Sequence, residues 1–283
     1  MNNLKPFGSM FEEIKDKIKR NSPYSKIPSW NIVQIMVKSG SDLRQEELAM
    51  QLINEIYQIF KDQKVKAWIR PYEIISAGKK CGIIEYINNT VSLDSLKKGM
   101  KEIEIYTLYN FFQYYFKDKK ELKRARINFA KSLAGYSLVS YILQIKDRHN
   151  ANILLDSEGH LIHIDYDFIL TSSPGNINME SCPFKLTQEY VEILGNGKSV
   201  YFNKFRQYMI DGFMAMQTDH KKIVSLVEMI LVSNKDLKCF RKSENVVSDL
   251  INRLFPKIHG LKPNSKMNRL ECSTHIDKYF LVA

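Results

Sequence analysis

Three oxygen-bearing side chains, Asp147, Asn152 and Asp165, are spaced around two short apolar runs that are themselves separated by a polar turn. The chain reads Ile145-Lys146-Asp147-Arg148-His149-Asn150-Ala151-Asn152, then Ile153-Leu154-Leu155, then Asp156-Ser157-Glu158-Gly159. Leu161 to Ile164 and Asp165-Tyr166-Asp167 follow. Apolar runs flanking Asp, Ser and Gly predict a β-hairpin. If the hairpin is symmetric about the Glu158-Gly159 bond, Asn152 lies opposite Asp165, and directly opposed residues sit about 5 Å apart. An amide and a carboxylate brought to one end of a ribbon form an incomplete oxygen shell for Mg2+, or Mn2+ in its place, to be completed by the phosphates of ATP.

Asp147 precedes Asn152 by the interval found in kinase catalytic loops, where the aspartate accepts the attacking hydroxyl's proton and the asparagine holds metal. A lone Asp-x-x-x-x-Asn match would fit an ordinary surface hairpin. Here Arg148, His149, Asn150 and the hairpin accompany it, which favours a phosphoryl-transfer site.

Upstream, Phe11 to Arg20 reads as a charged helix, and Asn21 to Trp30 as a turn between strands. Asn31 to Lys38 alternates as a strand ending on Lys38, and Asp42 with Gln45 forms a variant capping box. Leu48, Leu52, Ile56 and Ile59 or Phe60 mark the buried stripe of the helix that follows. Glu46, early in this helix, stands where a small-lobe acid pairs with a strand lysine that bridges nucleotide phosphates. Trp68 to Ile75 and Gly82 to Ile87 read as two further strands, and Leu122 to Ile145 as a long buried helix leading into the catalytic loop. Helices resume from Thr187, one of them carrying Val246 or Val247, Leu250, Ile251 and Leu254 before Pro256. Tyr279-Phe280-Leu281-Val282 reads as an apolar tail, for which packing is favoured over insertion into lipid.

Lys and Arg total 42 against 31 Asp and Glu, a formal net charge of +11, so an anionic partner is expected. The cluster Lys117, Lys119, Lys120, Lys123, Arg124 and Arg126 has Asp118 and Glu121 interleaved and no zinc-finger or RNP-type motif. It fits a solvated helix face or an anionic membrane surface better than nucleic acid. The apolar runs Tyr136 to Ile145 and Ile223 to Val232 are about half the ~20 residues needed to span a bilayer, so membrane contact is expected to be peripheral. Four scattered cysteines, none at zinc-ligand spacing, and no secretory leader point to reduced thiols in a cytosolic compartment.

With these residues in view, the chain resembles the phosphatidylinositol 3- and 4-kinase superfamily, nearest to its type III beta phosphatidylinositol 4-kinases, from about Phe7 to Phe255. The resemblance is carried by Ser22-Pro23-Tyr24 with Pro28-x-Trp30, by Val37 through Glu46, by Gln144 through Leu155, by Ile162 through Asp165, and by Phe184-Lys185-Leu186-Thr187. It implies an α+β, bilobal, protein-kinase-like fold. Residues 1–87 would form a small β-rich N-lobe, and residues 88–283 a larger, mostly helical C-lobe.

The resemblance also implies roles. Lys38 would contact the α- and β-phosphates of ATP, with Glu46 orienting it. Tyr72 would line the back of the nucleotide pocket, Glu85 and Ile87 would present backbone groups to adenine, and Ser22 with its neighbours would cover the phosphates. Asp147 or His149 would take the inositol proton, the choice between them staying open, while Asn152 and Asp165 would hold magnesium. The implied activity is phosphorylation of the 4-hydroxyl of phosphatidylinositol on the cytosolic face of Golgi-type membranes, with regulatory protein partners that no motif identifies.

Charge counting adds to this. No lysine or arginine lies between Asp165 and Lys185, whereas a headgroup that already carried extra phosphates would need cations there. Unphosphorylated phosphatidylinositol is therefore the expected substrate, with Lys185 on its phosphodiester. The chain departs from the family at Asp167, which stands where glycine is usual and adds negative charge near the metal motif. Ser41 stands where an acid is common. The alternatives are a kinase-like membrane scaffold weakened by Asp167 and a phosphatidylinositol 3-kinase.

Overall fold

Two small antiparallel sheets are each backed by a helix, the first by the helix that follows its first strand and the second by the longest helix of the chain. A computed structural model describes residues 5–176, 182–241, 245–257, 262 and 264–280. Helix α1 (Phe11–Asn21) leads to strand β1 (Ile35–Ser39), helix α2 (Arg44–Asp62), and strands β2 (Ile74–Gly78) and β3 (Cys81–Glu85). The first sheet has the order β1-β3-β2. Its inner face, with Ile74 and Ile84 buried, packs on the α2 stripe of Leu48, Leu52, Ile56, Ile59 and Phe60, all buried as the periodicity predicts.

Strand β4 (Thr90–Ser92) leads into helices α3 (Leu93–Glu102), α4 (Leu108–Tyr115) and α5 (Lys119–Leu143). Asp118 caps α5 by accepting from the N–H groups of Lys120 and Glu121. Over its C-terminal half α5 is buried on every side, with Phe129, Tyr136, Val139 and Ile142 inaccessible. Gly135 is needed there because a Cβ would lie 2.3 Å from the Trp68 carbonyl, which crosses the helix.

The hairpin of β5 (Ile153–Asp156) and β6 (Leu161–His163) joins β4 in the second sheet, order β4-β5-β6. Helices α6 (Gln188–Leu194), α7 (Val200–Thr218), α8 (His220–Ser233), α9 (Val246–Leu254) and α10 (Arg269–Phe280) complete the described chain. Thr187 caps α6 through its side chain. The result is a bilobal α+β fold of the lipid-kinase type.

Several local expectations are corrected. Residues 31–34 do not extend β1, and Ser22 sits between α1 and β1 instead of between strands. Trp68 to Glu73 is not a strand, because its backbone turns to α5: the Trp68 N–H donates to the Lys131 carbonyl and the Arg70 N–H to the Tyr136 hydroxyl. The α2 cap position is Leu43, and Asp42 accepts from the Arg44 N–H one position earlier than a capping box requires. Arg126 leaves the solvated basic face. Its guanidinium lies 3.9 Å from the Tyr201 ring centroid, and Nε donates to the Ile193 carbonyl. In the tail, Tyr279 packs on Tyr141 and Phe184 and Phe280 on Phe202 and Phe205, while Leu281 and Val282 lie outside the described residues. No helix among the described residues is long and apolar enough to cross a membrane.

Candidate active site

Lys38 is the fourth residue of β1, opposite Gly82 in register. A Cβ at Gly82 would meet the Ile75 carbonyl at 2.5 Å and Leu43 at 2.6 Å, so only glycine lets the three strands and α2 close at this level. Glu46 lies in the first turn of α2, and its carboxylate accepts from the Lys38 ammonium at 2.8 Å. Burial works against the lysine's charge, but the hydrogen bond and charge of Glu46, with Asp165 and Asp167 behind it, hold the ammonium above its ordinary range. Burial raises the Glu46 carboxyl against the hydrogen bond and charge of Lys38, and the two aspartates add smaller contributions in the raising direction.

The pair faces a cleft of about 490 Å³, within the range for small-molecule sites. Met36, Tyr72, Glu85, Ile87, Ser92, Asn152 and Asp165 are among the residues that line it. Tyr72 is buried at the back, and burial, followed by the Glu46 charge, raises its hydroxyl well above the normal range against a backbone hydrogen bond from Asp165. At the end of β3 and just beyond it, the Glu85 N–H donates to the Glu73 carbonyl, and the Ile87 carbonyl accepts from the Thr90 hydroxyl at 2.7 Å. The Glu85 carboxylate is held by Arg70 and the Glu73 N–H, away from any catalytic task. A larger hollow of about 530 Å³ lies behind α2, shares only Tyr72 with the cleft, and reaches none of Lys38, Asn152 and Asp165.

Across the cleft, Gln144 ends α5 in the left-handed conformation and turns the chain into the catalytic loop. Arg148 is buried and donates to the carbonyls of Lys146, Ile164 and Asp165, tying that loop to the segment after β6. The Asn152 amide nitrogen donates to the Asp147 carbonyl at 3.1 Å, which orients its oxygen as the group available to a cation. His149 Nε2 and Asp147 Oδ2 are 3.8 Å apart, both side chains solvent-accessible. Neighbouring His163 is buried and stacked on Tyr136, and burial pushes its pKa well down, so it stays neutral.

The hairpin register differs from the expected one. Ile153 pairs with His163 and Leu155 with Leu161, so the ribbon is centred on Glu158 and not on the Glu158-Gly159 bond. The cause lies in the turn, where Asp156 Oδ1 accepts from both the Glu158 and His160 N–H groups and adds a residue to the loop. Asn152 therefore faces Ile164, whose N–H donates to its carbonyl, and Asp165 sits one step beyond. Asp165 reaches the cleft through a left-handed backbone, φ 62°. The carboxylates of Asp165, Asp167 and Glu46 all lie within 4.8 Å of one another. These hard oxygen donors, with Asn152, match the preference of Mg2+. Asp167 itself has no positive φ; Asp165 and Leu170 do, so the backbone does not require glycine at 167.

Two predicted positions are occupied otherwise. The Ser22 hydroxyl accepts from the Tyr24 N–H and the Trp30 indole, and Ser22 is not among the residues lining the cleft. Lys185 donates to the Arg148 carbonyl at 3.0 Å and to Asn150 at 2.9 Å, bracing the catalytic loop, and burial lowers its pKa. The sequence offered Gln45 only as a helix cap and Arg148 only as part of the loop motif. Both are buried, and their bonds to the main chain of Asp167, Cys239, Ile164 and Asp165 join groups remote in sequence, of which side-chain spacing carries no signal.

The profile of the phosphatidylinositol 3- and 4-kinase family matches residues 32–235, which hold every predicted site residue except Ser22. The chain belongs to this family. It is similar to phosphatidylinositol 4-kinase of Dictyostelium discoideum, 41% identical over 277 residues that cover 97% of this chain and 22% of that protein. It is also similar to phosphatidylinositol 4-kinase beta 1 of Arabidopsis thaliana, 41% identical over 251 residues, 87% of this chain and 22% of that protein. Phosphatidylinositol 4-kinase beta of Rattus norvegicus is 40% identical over 237 residues, 83% of this chain and 29% of its own length. The chain thus spans between a fifth and a third of these relatives. Within the family frame, the lysine–acid pair and the Asn152–Asp165 edge occupy opposite walls of one cleft.

Proposed function

We propose that this chain is a lipid-kinase core that transfers the γ-phosphate of ATP to the 4-hydroxyl of phosphatidylinositol. The observation that carries the reading is the Lys38–Glu46 pair at 2.8 Å facing the same cleft as Asn152 and Asp165. The division between lobes falls after Ile87, where the adenine would sit against the Glu85 carbonyl and the Ile87 N–H. Lys38 holds the α- and β-phosphates, and Glu46 keeps its ammonium in place. Asn152 and Asp165, with Asp167 beside them, would hold Mg2+ or Mn2+, which when bound offsets the charge building on the transferred group. Asp147 or His149 takes the proton from the inositol hydroxyl. Lys185, its ammonium engaged by the Arg148 carbonyl and the Asn150 side chain, braces the loop carrying these residues. Most of the rate enhancement comes from positioning and fixed charge.

The relatives named above are called phosphatidylinositol 4-kinases, which supports the 4-hydroxyl over the 3-hydroxyl. Phosphatidylinositol is a membrane lipid, so the chain works peripherally on an anionic cytosolic surface of Golgi-type membranes. The deciding experiment incubates purified protein with phosphatidylinositol vesicles, MgCl2 and radiolabelled ATP, and separates the deacylated products. Phosphatidylinositol 4-phosphate is the expected product. A 3-phosphate product would move the chain to the other branch of the family, and no labelled lipid would leave a scaffold.

A further inference from the structure

Gln45 precedes Glu46 on α2 and is buried, with 6% of its surface exposed. Its amide nitrogen donates to the Asp167 carbonyl, and its amide oxygen accepts from the Cys239 N–H at 3.0 Å. The Cys239 carbonyl in turn accepts from the Thr171 hydroxyl at 2.7 Å. These bonds close a ring: from α2 to Asp167, along the chain to Thr171, across to Cys239, and back to Gln45. The stretch from Asp167 to Thr171 is therefore joined to α2 through one amide and one peptide, while Arg148, Lys146 and Leu143 hold its other side.

The grip has electrostatic work to do. Asp165, Asp167 and Glu46 crowd within 4.8 Å, and like charges at such range repel one another. Arg148 holds the Ile164 and Asp165 carbonyls from the side of the loop, and the Gln45 amide supplies the restraint from the side of α2, at Asp167. Only an amide can serve, because it offers a donor to one main-chain carbonyl and an acceptor to a main-chain N–H without adding charge. A carboxylate would turn an acceptor toward the Asp167 carbonyl and bring a fourth negative group.

We propose that Gln45 is a positioning residue, whose amide holds the Asp165–Asp167 segment against α2 so that the metal-binding carboxylates are assembled before a divalent cation arrives. This rests on the reading of the cleft as a metal-dependent phosphoryl-transfer site. It also assigns Gln45 a role distinct from that of Arg44, which crosses to the same region through Asp236 at 2.9 Å but touches nothing between Asp165 and Thr171.

The test compares wild type, Gln45→Met and Asp236→Ala as full chains. Mn2+ binding is followed by electron paramagnetic resonance with a non-hydrolysable ATP analogue, adenosine binding by calorimetry, and amide exchange at 165–171 without metal. Gln45→Met is expected to weaken Mn2+ binding about tenfold, the loss of one charge-positioning bond, and to speed exchange at 165–171 about tenfold. Adenosine affinity should stay within about twofold of wild type, and Asp236→Ala should leave all three readouts within the same margin. Unchanged Mn2+ affinity and exchange in Gln45→Met overturns the proposal. So does an equal loss of adenosine binding, which marks general collapse, or an equal effect of Asp236→Ala, which marks generic bracing of the lobes. Wild type that binds no Mn2+ with the analogue overturns the reading of the cleft itself, and the positioning role with it.

Discussion

The two sheets each have three antiparallel strands but opposite surroundings. In the first, α2 covers one face and the other meets solvent, so Ile35 is 55% exposed, Val37 70% and Ile75 57%. In the second, Ile153, Leu155, Leu161 and Ile162 are all inaccessible, and α5 clamps the hairpin through Ser132, whose hydroxyl accepts from the Leu161 N–H at 2.8 Å. The catalytic loop and Asp165 extend from the buried sheet, and Lys38 from the half-covered one. The residues proposed to hold metal are thus mounted on the more deeply buried sheet. Lys38, proposed to hold phosphates, depends on the half-covered sheet and on one ion pair for its aim.

The sharpest test of this contrast is chemical. Asp165→Asn should lower kcat on the order of 10³-fold with the fold retained, since it removes a fixed metal ligand. Lys38→Met should cost about tenfold less, because its sheet can readjust, and should raise KM for ATP; steady-state kinetics on phosphatidylinositol vesicles measure both. Equal losses at the two positions would erase the distinction.

Stability should follow the same division. Ile162→Ala opens a cavity in the buried sheet and should cost about 3 kcal/mol by urea unfolding, whereas Val37→Ala on the exposed face should stay within about 0.5 kcal/mol. A finer comparison uses the two hairpin turns, both of which rely on glycine at positive φ. Gly159→Ala meets the backbone strain and also Ala125 at 2.9 Å, while Gly78→Ala meets strain alone, with nothing within 4 Å. About 2 to 3 kcal/mol against about 1 kcal/mol is expected.

The smallest effect concerns acid. His275 on α10 is buried beside Tyr141, 3.3 Å from its hydroxyl, and burial pushes its pKa down to about 4. A histidine depressed in the folded state contributes stability that is present above its unfolded pKa, about 6.5, and is lost as pH falls toward 4. Wild type should lose on the order of 1 kcal/mol across that window, and His275→Phe should flatten this part of the curve. Because α10 packs chiefly on α7, amide exchange in both sheets should respond alike; a selective loss in the first would tie the acid response to the half-covered sheet.

Much of the fold was legible because it is written in local pattern. The stripe from Leu48 to Phe60, the return of helix at Thr187, and the long run from Leu122, read to Ile145 and ending at Leu143, each announce a helix through spacing that survives any tertiary context. Trp68 to Glu73 misled for the converse reason. Its composition suits a strand, but its hydrogen-bonding groups are taken by Lys131 and Tyr136, and that competition is not local. At the site, Lys38 and Glu46 were found by analogy of position, and the structure joins them. The hairpin was found and its register missed by one residue, since side-chain bonds inside the turn decide the count. Asp167 looked like a defect in sequence, yet the left-handed positions fall at Asp165 and Leu170.

By itself, the sequence determined which residue types would stand in the cleft, because a lysine, an acid, an amide and an aspartate at those intervals suit phosphoryl transfer whatever surrounds them. Only tertiary structure decided how they are held. Arg148, Gln45 and Lys185 act on carbonyls and N–H groups, which every residue possesses, so nothing in the order of side chains singles out their partners. Distance in space alone selects them.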